Sequence, residues 1–280
     1  MIHLGLSTEV NDVTAEQKDS RPSLVTPLPA SSNLQSSPKP KISFDQTHPN
    51  LLLHTASLLP REPAGQASTS VFETDPTGLA AEQFRLMQRR LLNVRPTGGS
   101  VLLTSPGAGD GKSFNAHNLA WAFAEAAQPT LLLDLDFRRP SQAKCFRSSP
   151  PVSIAAVLTG KETPEAALFR IDGTSLFFIG LQKSAANPVG LLRSAQLQQL
   201  MTWARRNFTW VVMDAPPILP ISDVEELLPS ADIVLMVVRE RVTERAMLER
   251  AAERLGKRLD YMIFNDVTFS AAYGYGYGYN

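Results

Sequence analysis

The sequence predicts an α/β protein with a mostly parallel sheet and helices on both faces. Three observations predict it. Short apolar runs alternate with helical patterns from about residue 79 onward, and no repeat of 20 to 50 residues interrupts them. The runs are apolar throughout rather than at every second position, as strands buried on both faces require. The chain of 280 residues, with 43% hydrophobic and 19% charged residues, is long and apolar enough to build such a core.

The elements follow in order. Nine of the 21 prolines precede residue 77, among many Ser, Thr and Gln, so residues 1–76 read as a disordered Pro/Ser-rich arm. Within it, Leu51-Leu52-Leu53 and Leu58-Leu59 read as incidental apolar residues or as a short docking motif. The segment from Leu79 to Leu92 is rich in helix formers, with Phe84, Met87, Leu91 and Leu92 at helical spacing. Strands are expected at 100–104, 130–135, 176–181, 208–213, 233–238 and 261–264. Helices are expected at 115–127, 154–158, 164–169, 191–207, 223–228 and 244–255. One domain therefore spans 77–266. Residues 267–280 form a flexible tail, because glycine alternates with Tyr273, Tyr275, Tyr277 and Tyr279.

Charge and composition exclude several classes. Twenty-seven basic residues balance 27 acidic ones, so no overall basic field exists for nucleic acid. A single cysteine, Cys145, excludes an internal disulfide and a cysteine zinc site. Neither a signal peptide nor a run of about 20 apolar residues is visible, so membrane association is expected only through a partner. Of four histidines only His117 lies in the expected domain, and it has no metal-spaced neighbour.

The chemistry concentrates after the first domain strand, in Pro106-Gly107-Ala108-Gly109-Asp110-Gly111-Lys112-Ser113, which runs straight into a helix. A glycine-rich turn at a helix start directs backbone N–H groups into one concavity, where phosphates bind. Gly107 to Phe114 would cradle the nucleotide, Lys112 would reach the β/γ-phosphates, and the Ser113 hydroxyl would ligate Mg²⁺. This is a phosphate-loop (P-loop) NTPase-like arrangement, although Pro106 stands where the general motif has its first glycine. Gly-Lys-Ser alone is a weak signal; the strand–loop–helix order gives it weight. Two further strands end in carboxylates, Asp134 and Asp136 after one and Asp214 after another. In an open parallel sheet, ligands bind beyond the carboxyl ends of the strands, so these acids are expected beside the loop. One or two would hold Mg²⁺ with Ser113, and a third could serve as a base for an acceptor hydroxyl.

These residues resemble the bacterial protein-tyrosine kinases of exopolysaccharide and capsule assembly. The resemblance rests on Asp110-Gly111-Lys112-Ser113, on Asp134-Leu135-Asp136-Phe137-Arg138, on Asp214-Ala215-Pro216-Pro217 followed by Ser222-Asp223, and on the terminal tyrosine cluster. A proline at position 106 is also usual in these kinases. The resemblance covers about residues 79–280. It implies an ATP- and Mg²⁺-dependent autokinase with Lys112, Asp134 and Arg138 as catalytic residues, Asp134 being the candidate base. Ser113, Asp136 and Asp214 would hold the metal directly or through water. Asn265 would read adenine, and Tyr273, Tyr275, Tyr277 and Tyr279 would accept phosphate.

The resemblance also implies a ring of protomers joined through Glu82 and Arg85 of a Glu-x-x-Arg-x-x-Arg motif, whose last position is Gln88 here. It implies a membrane chain-length regulator of the Wzz type as activator, a cognate tyrosine phosphatase, and a cytoplasmic location peripheral to the inner membrane. Two other readings stay open. A septum-site or partition ATPase would carry a further lysine five positions before Lys112, where Gly107 stands. A non-catalytic nucleotide-binding regulator of polysaccharide assembly would bind without transferring. Read by itself, the tail would also suit an adhesive low-complexity tag.

Overall fold

Residues 56–59, 69–147 and 152–267 are described in a computed structural model of the chain. Among them eight strands form one sheet: β1 (Ser57–Leu59), β2 (Gly99–Thr104), β3 (Thr130–Asp134), β4 (Phe169–Ile171), β5 (Leu176–Ile179), β6 (Trp210–Asp214), β7 (Ile233–Arg239) and β8 (Tyr261–Asn265). Their order is β1-β4-β5-β3-β6-β2-β7-β8, and every pairing is parallel except that of β4 with β5.

The helices are α1 (Val71–Thr74), α2 (Leu79–Val94), α3 (Lys112–Glu125), α4 (Gln142–Cys145), α5 (Ile154–Leu158), α6 (Pro188–Leu192), α7 (Ala195–Asn207), α8 (Asp223–Leu227) and α9 (Arg245–Leu255). They divide between the sheet faces because strand side chains alternate. Leu102, Leu131, Leu133, Val211, Met213, Val234 and Met236 pack in one core with α5 to α9. Val101, Leu103, Leu132, Val212, Ile233 and Leu235 pack in the other with α1 to α4. Both alternating sets are apolar, which is why each strand reads as a continuous hydrophobic run.

The buried side of α2, made of Ala81, Phe84, Met87 and Leu91, lies in the second core. Full burial of Phe, Met or Leu contributes about 1.5–3 kcal/mol each, so this face, not intrinsic propensity, fixes the helix. Arg85 ties it down further. Its Nε and Nη2 donate to Glu125 of α3 at 2.7 and 2.6 Å, and its guanidinium stands 5.2 Å from the Phe72 ring centre.

Three expectations are corrected. Residues 164–169 are not a helix: Ala167 and Leu168 donate to Pro164 and Glu165 three residues back, and Phe169 opens β4. Buried Phe169 and Ile171 outweigh the local helix preference by joining the sheet and its core. The helix expected at 191–207 is two helices, broken at Arg193–Ser194, where the Ser194 hydroxyl accepts from Leu197 N and caps α7. Residues 56–59 and 69–76, counted with the arm, carry structure: β1 pairs with β4, and Phe72 of α1 is buried. Most of the arm and the tail from residue 268, with Tyr273, Tyr275, Tyr277 and Tyr279, lie outside the described residues.

Candidate functional site: a phosphate loop facing three carboxylates

Parallel register builds the site. β6 lies between β2 and β3, so Asp214 at its end is in register with Leu103 on one side and Asp134 on the other. The loop leaving β2 therefore starts beside Asp214, with Asp134 one strand further away. Thr104 Oγ1 donates to Pro216 O at 2.7 Å, and Ile218 N donates to Ser105 O at 2.9 Å, tying the segment after Asp214 to the loop.

The loop holds its shape from within. Gly109 and Gly111 take φ of +91° and +97°, a region glycine enters without a Cβ penalty. Asp110 does not face outward. Its Oδ2 accepts from Gly107 N at 2.9 Å and its Oδ1 accepts from the Thr243 hydroxyl at 2.7 Å. Asn265, at the end of β8, donates from Nδ2 to the Asp110 carbonyl at 3.0 Å. The amide expected to read adenine thus also braces the phosphate loop.

Lys112 gathers the expected metal ligands. Its ammonium lies 2.9 Å from Asp136 Oδ2, 3.5 Å from Asp214 Oδ1 and 3.2 Å from the Ser113 hydroxyl. Burial acts to lower the lysine pKa, but the Asp214 and Asp136 carboxylates outweigh it and push it up to about 12. Ser113, Asp136 and Asp214 thus converge on one point already occupied by a positive charge, so their donor set fits a hard cation. Among the described residues no three His, Cys, Asp or Glu side chains form a metal-holding group by themselves. A cation here would therefore draw ligands from Ser113 and from phosphate oxygens as well.

Asp134 and Asp136 sit in different surroundings. β3 stops at Asp134, and the chain turns. Asp136 lines a cleft of about 600 Å³ with Ala108, Lys112, Arg138 and Pro217. Asp134 is fully buried, and its Oδ2 accepts from Ser141 N and Gln142 N at 2.9 Å each. Burial, with Asp214 adding to it, pushes its pKa up to about 8. Arg138 forks onto the buried Asp223 carboxylate through Nε at 2.8 Å and Nη2 at 3.1 Å.

Sequence reasoning missed Gln142, which donates to Asp214, and Thr243, which holds Asp110. A lone Gln after Pro-Ser and a lone Thr after a strand carry no motif signal. Glu82 and Arg85 are together, but Arg85 is occupied within the chain by Glu82 and Glu125.

No family model matches the chain. The tyrosine-protein kinase YwqD of Bacillus subtilis (strain 168) is 31% identical over 209 residues, covering 73% of this chain and 88% of that protein. The putative tyrosine-protein kinase EpsB of Ralstonia nicotianae is 33% identical over 184 residues, covering 64% of this chain. This chain thus spans most of the Bacillus relative but only 24% of the Ralstonia one. Among solved structures, the VpsO kinase domain superposes with a TM-score of 0.63 at 27% identity, over 71% of this chain and 100% of that one.

Proposed function

The chain belongs to the bacterial tyrosine-protein kinases, and from that premise we propose that it is an ATP- and Mg²⁺-dependent autokinase, transferring the γ-phosphate in trans to its own C-terminal tyrosines. One observation carries the reading: Ser113, Asp136 and Asp214 meet around the Lys112 ammonium at the wall of a phosphate-loop cleft.

In this reading the backbone N–H groups of Gly107 to Phe114 hold the triphosphate, helped by the N-terminus of α3. Lys112 exchanges its carboxylate partners for β- and γ-phosphate oxygens. Ser113, Asp136 and Asp214 would hold Mg²⁺, which when bound would supply positive charge against the phosphate oxygens. Asp134 takes the proton from the attacking tyrosine Oη as the new O–P bond forms and ADP leaves with the old bridging oxygen. A carboxylate near pKa 8 is closer to a tyrosine near 10 than an ordinary aspartate is, which supports that role. Asp136 is the alternative base, because it is the acid that lines the cleft. Arg138, held by Asp223 at the same cleft, steadies charge on the transferring group.

The catalytic unit is residues 77–266 together with the β1 and α1 segments that pack onto it, and Tyr273, Tyr275, Tyr277 and Tyr279 are the acceptors. From Asn265 to Tyr279 an extended chain reaches roughly 46–50 Å, enough to enter a neighbour's cleft. Assembly into a ring through the α2 face, activation by a membrane chain-length regulator, reversal by a tyrosine phosphatase, and control of exopolysaccharide chain length or export complete the proposal. On the α2 surface, Leu79, Leu86 and Glu82 are exposed, which supports assembly there; Arg85 remains an internal link. No helix among the described residues is long and apolar enough to cross a membrane.

The test is incubation with Mg-ATP and the membrane activator, followed by mass spectrometry of the C-terminal peptide. Wild type gains phosphate on the tail; Lys112→Met does not, and Asp134→Asn loses most of it. An unmodified wild-type tail would leave a non-catalytic regulator or a partition-type ATPase. Mixing a tailless active chain with Lys112→Met then separates trans from cis transfer.

A further inference from the structure

The buried polar groups behind the site form a single line. Trp121 Nε1–H donates to His117 Nε2 at 3.1 Å, and His117 Nδ1 lies 3.3 Å from Gln142 Oε1. Gln142 Nε2 donates to Asp214 Oδ2 at 2.8 Å and to the Ser113 carbonyl at 2.9 Å. His117, Gln142 and Asp214 are all within 1% of complete burial, and Trp121 is 5% exposed.

Donor and acceptor chemistry permits one polarity along this line. Asp214 and the Ser113 carbonyl only accept, so the amide nitrogen of Gln142 must face them. Its oxygen then faces His117, which must carry its proton on Nδ1. That leaves Nε2 as the acceptor for the indole N–H. A reversed amide would set oxygen against oxygen twice in a buried space, which is costly. Burial, opposed only partly by the Gln142 contact, lowers the histidine pKa to about 4, so the ring stays neutral and the polarity holds.

We propose that Gln142 is a positioning residue: oriented by His117, its amide fixes the Asp214 carboxylate to the start of α3 and so sets where Asp214 meets the nucleotide-bound cation. This rests on the kinase-site reading above. Asp214 sits on β6 and Ser113 on α3, and Gln142 bonds to both at once. With Oδ2 held by Gln142, Oδ1 is the oxygen that faces Lys112. The core of α3 thereby sets one oxygen of the metal site.

The test uses the full chain and two readouts. In nucleotide-free protein, ¹⁵N spectra of His117 report its tautomer. In nucleotide titrations, ADP affinity is measured with EDTA and with Mg²⁺. In wild type His117 is the Nδ1–H tautomer and Mg²⁺ tightens ADP. In Gln142→Leu the tautomer is no longer fixed, and ADP affinity in EDTA stays within about twofold. The Mg²⁺ concentration for half-maximal tightening rises at least tenfold, about 1.4 kcal/mol.

A second pair of variants separates positioning from packing. His117→Asn keeps a donor where Nδ1 stands but fills the core less well, whereas His117→Leu fills it and removes the donor. Positioning requires His117→Asn to retain the wild-type Mg²⁺ midpoint and His117→Leu to lose it. The opposite ranking, or a Gln142→Leu midpoint equal to wild type, overturns the proposal. A wild-type Nε2–H tautomer also overturns it. Failure of wild type to bind any nucleotide would instead sink the kinase-site reading, while the tautomer still decides whether Gln142 is oriented as argued.

Discussion

Gly111 lies so close to Asn265 that a Cβ on the glycine would stand 2.1 Å from Asn265 Nδ2, the same nitrogen that donates to the Asp110 carbonyl at 3.0 Å. The last strand and the phosphate loop are thus fitted to each other. Gly111 also holds φ +97°, where a side chain costs roughly 1–3 kcal/mol. Gly111→Ala is expected to weaken ATP binding at least tenfold by calorimetry. Adding Asn265→Ala removes the clash but not the backbone strain, so the double variant recovers only part of the affinity.

Lys112→Met should destabilise the fold. It removes the cation that lies among Asp136, Asp214 and Ser113. Breaking a buried pair from one side costs about 3–5 kcal/mol, because the partner charge stays buried. The melting temperature of Lys112→Met should therefore fall well below that of wild type, and an unchanged one would mean that the acids find another cation.

His117 and Asp134 should give the wild type opposed pH slopes. His117 falls from 6.5 to about 4 on folding, so its contribution is intact above about pH 6.5 and is lost as pH drops toward 4. Asp134 rises from 3.8 to about 8, so its contribution is intact below about pH 4 and is lost as pH climbs toward 8. Between pH 6.5 and 8 only the second effect acts, and stability should fall with pH. Asp134→Asn should flatten that limb in denaturant titrations, and His117→Asn should flatten the acid limb alone.

Arg138→Lys should damage transfer more than folding. The guanidinium fork onto Asp223 at 2.8 and 3.1 Å cannot be reproduced by one ammonium. Loss of one charged hydrogen bond to a buried acid costs roughly 1.5–3 kcal/mol, less where the arginine is part-exposed as here. A small shift in melting temperature with a tenfold or greater fall in phosphotransfer rate is the expected pattern. Equal loss of both would make Arg138 a structural residue only.

Tail phosphorylation should change assembly. Each phosphotyrosine adds about −1.5 to −2, so four add roughly −6 to −8 to a chain of zero formal charge. That charge should loosen packing between protomers, because the phosphorylated tails repel one another. Light scattering before and after confirmed modification measures it, and an unchanged mass contradicts it. Replacing all four tail tyrosines by Phe should abolish both the modification and the size change.

Much of the candidate site was readable in the order of residues. The loop Gly107 to Ser113 and the strand-end acids Asp134 and Asp214 follow from period, glycine spacing and the rule that ligands sit at carboxyl strand ends. Residues 164–169 went wrong because Ala and Leu favour a helix locally, while burial of Phe169 and Ile171 beside β5 decides otherwise. Propensity differences amount to tenths of a kcal/mol per residue, and one buried aromatic outweighs several.

The sequence by itself determined the alternation of strands and helices, the phosphate loop and the identity of its acids, since those depend on near neighbours along the chain. The tertiary structure alone decided the rest. It set Asp214 in register with Asp134 through the β3–β6 pairing, and it turned Asp134 into the N–H groups of Ser141 and Gln142. It brought Thr243, Asn265 and Gln142, 133, 155 and 72 residues from their partners, onto Asp110 and Asp214. Such contacts leave no local pattern, because a buried hydrogen bond needs only matched donors and acceptors in space, whatever their separation along the chain.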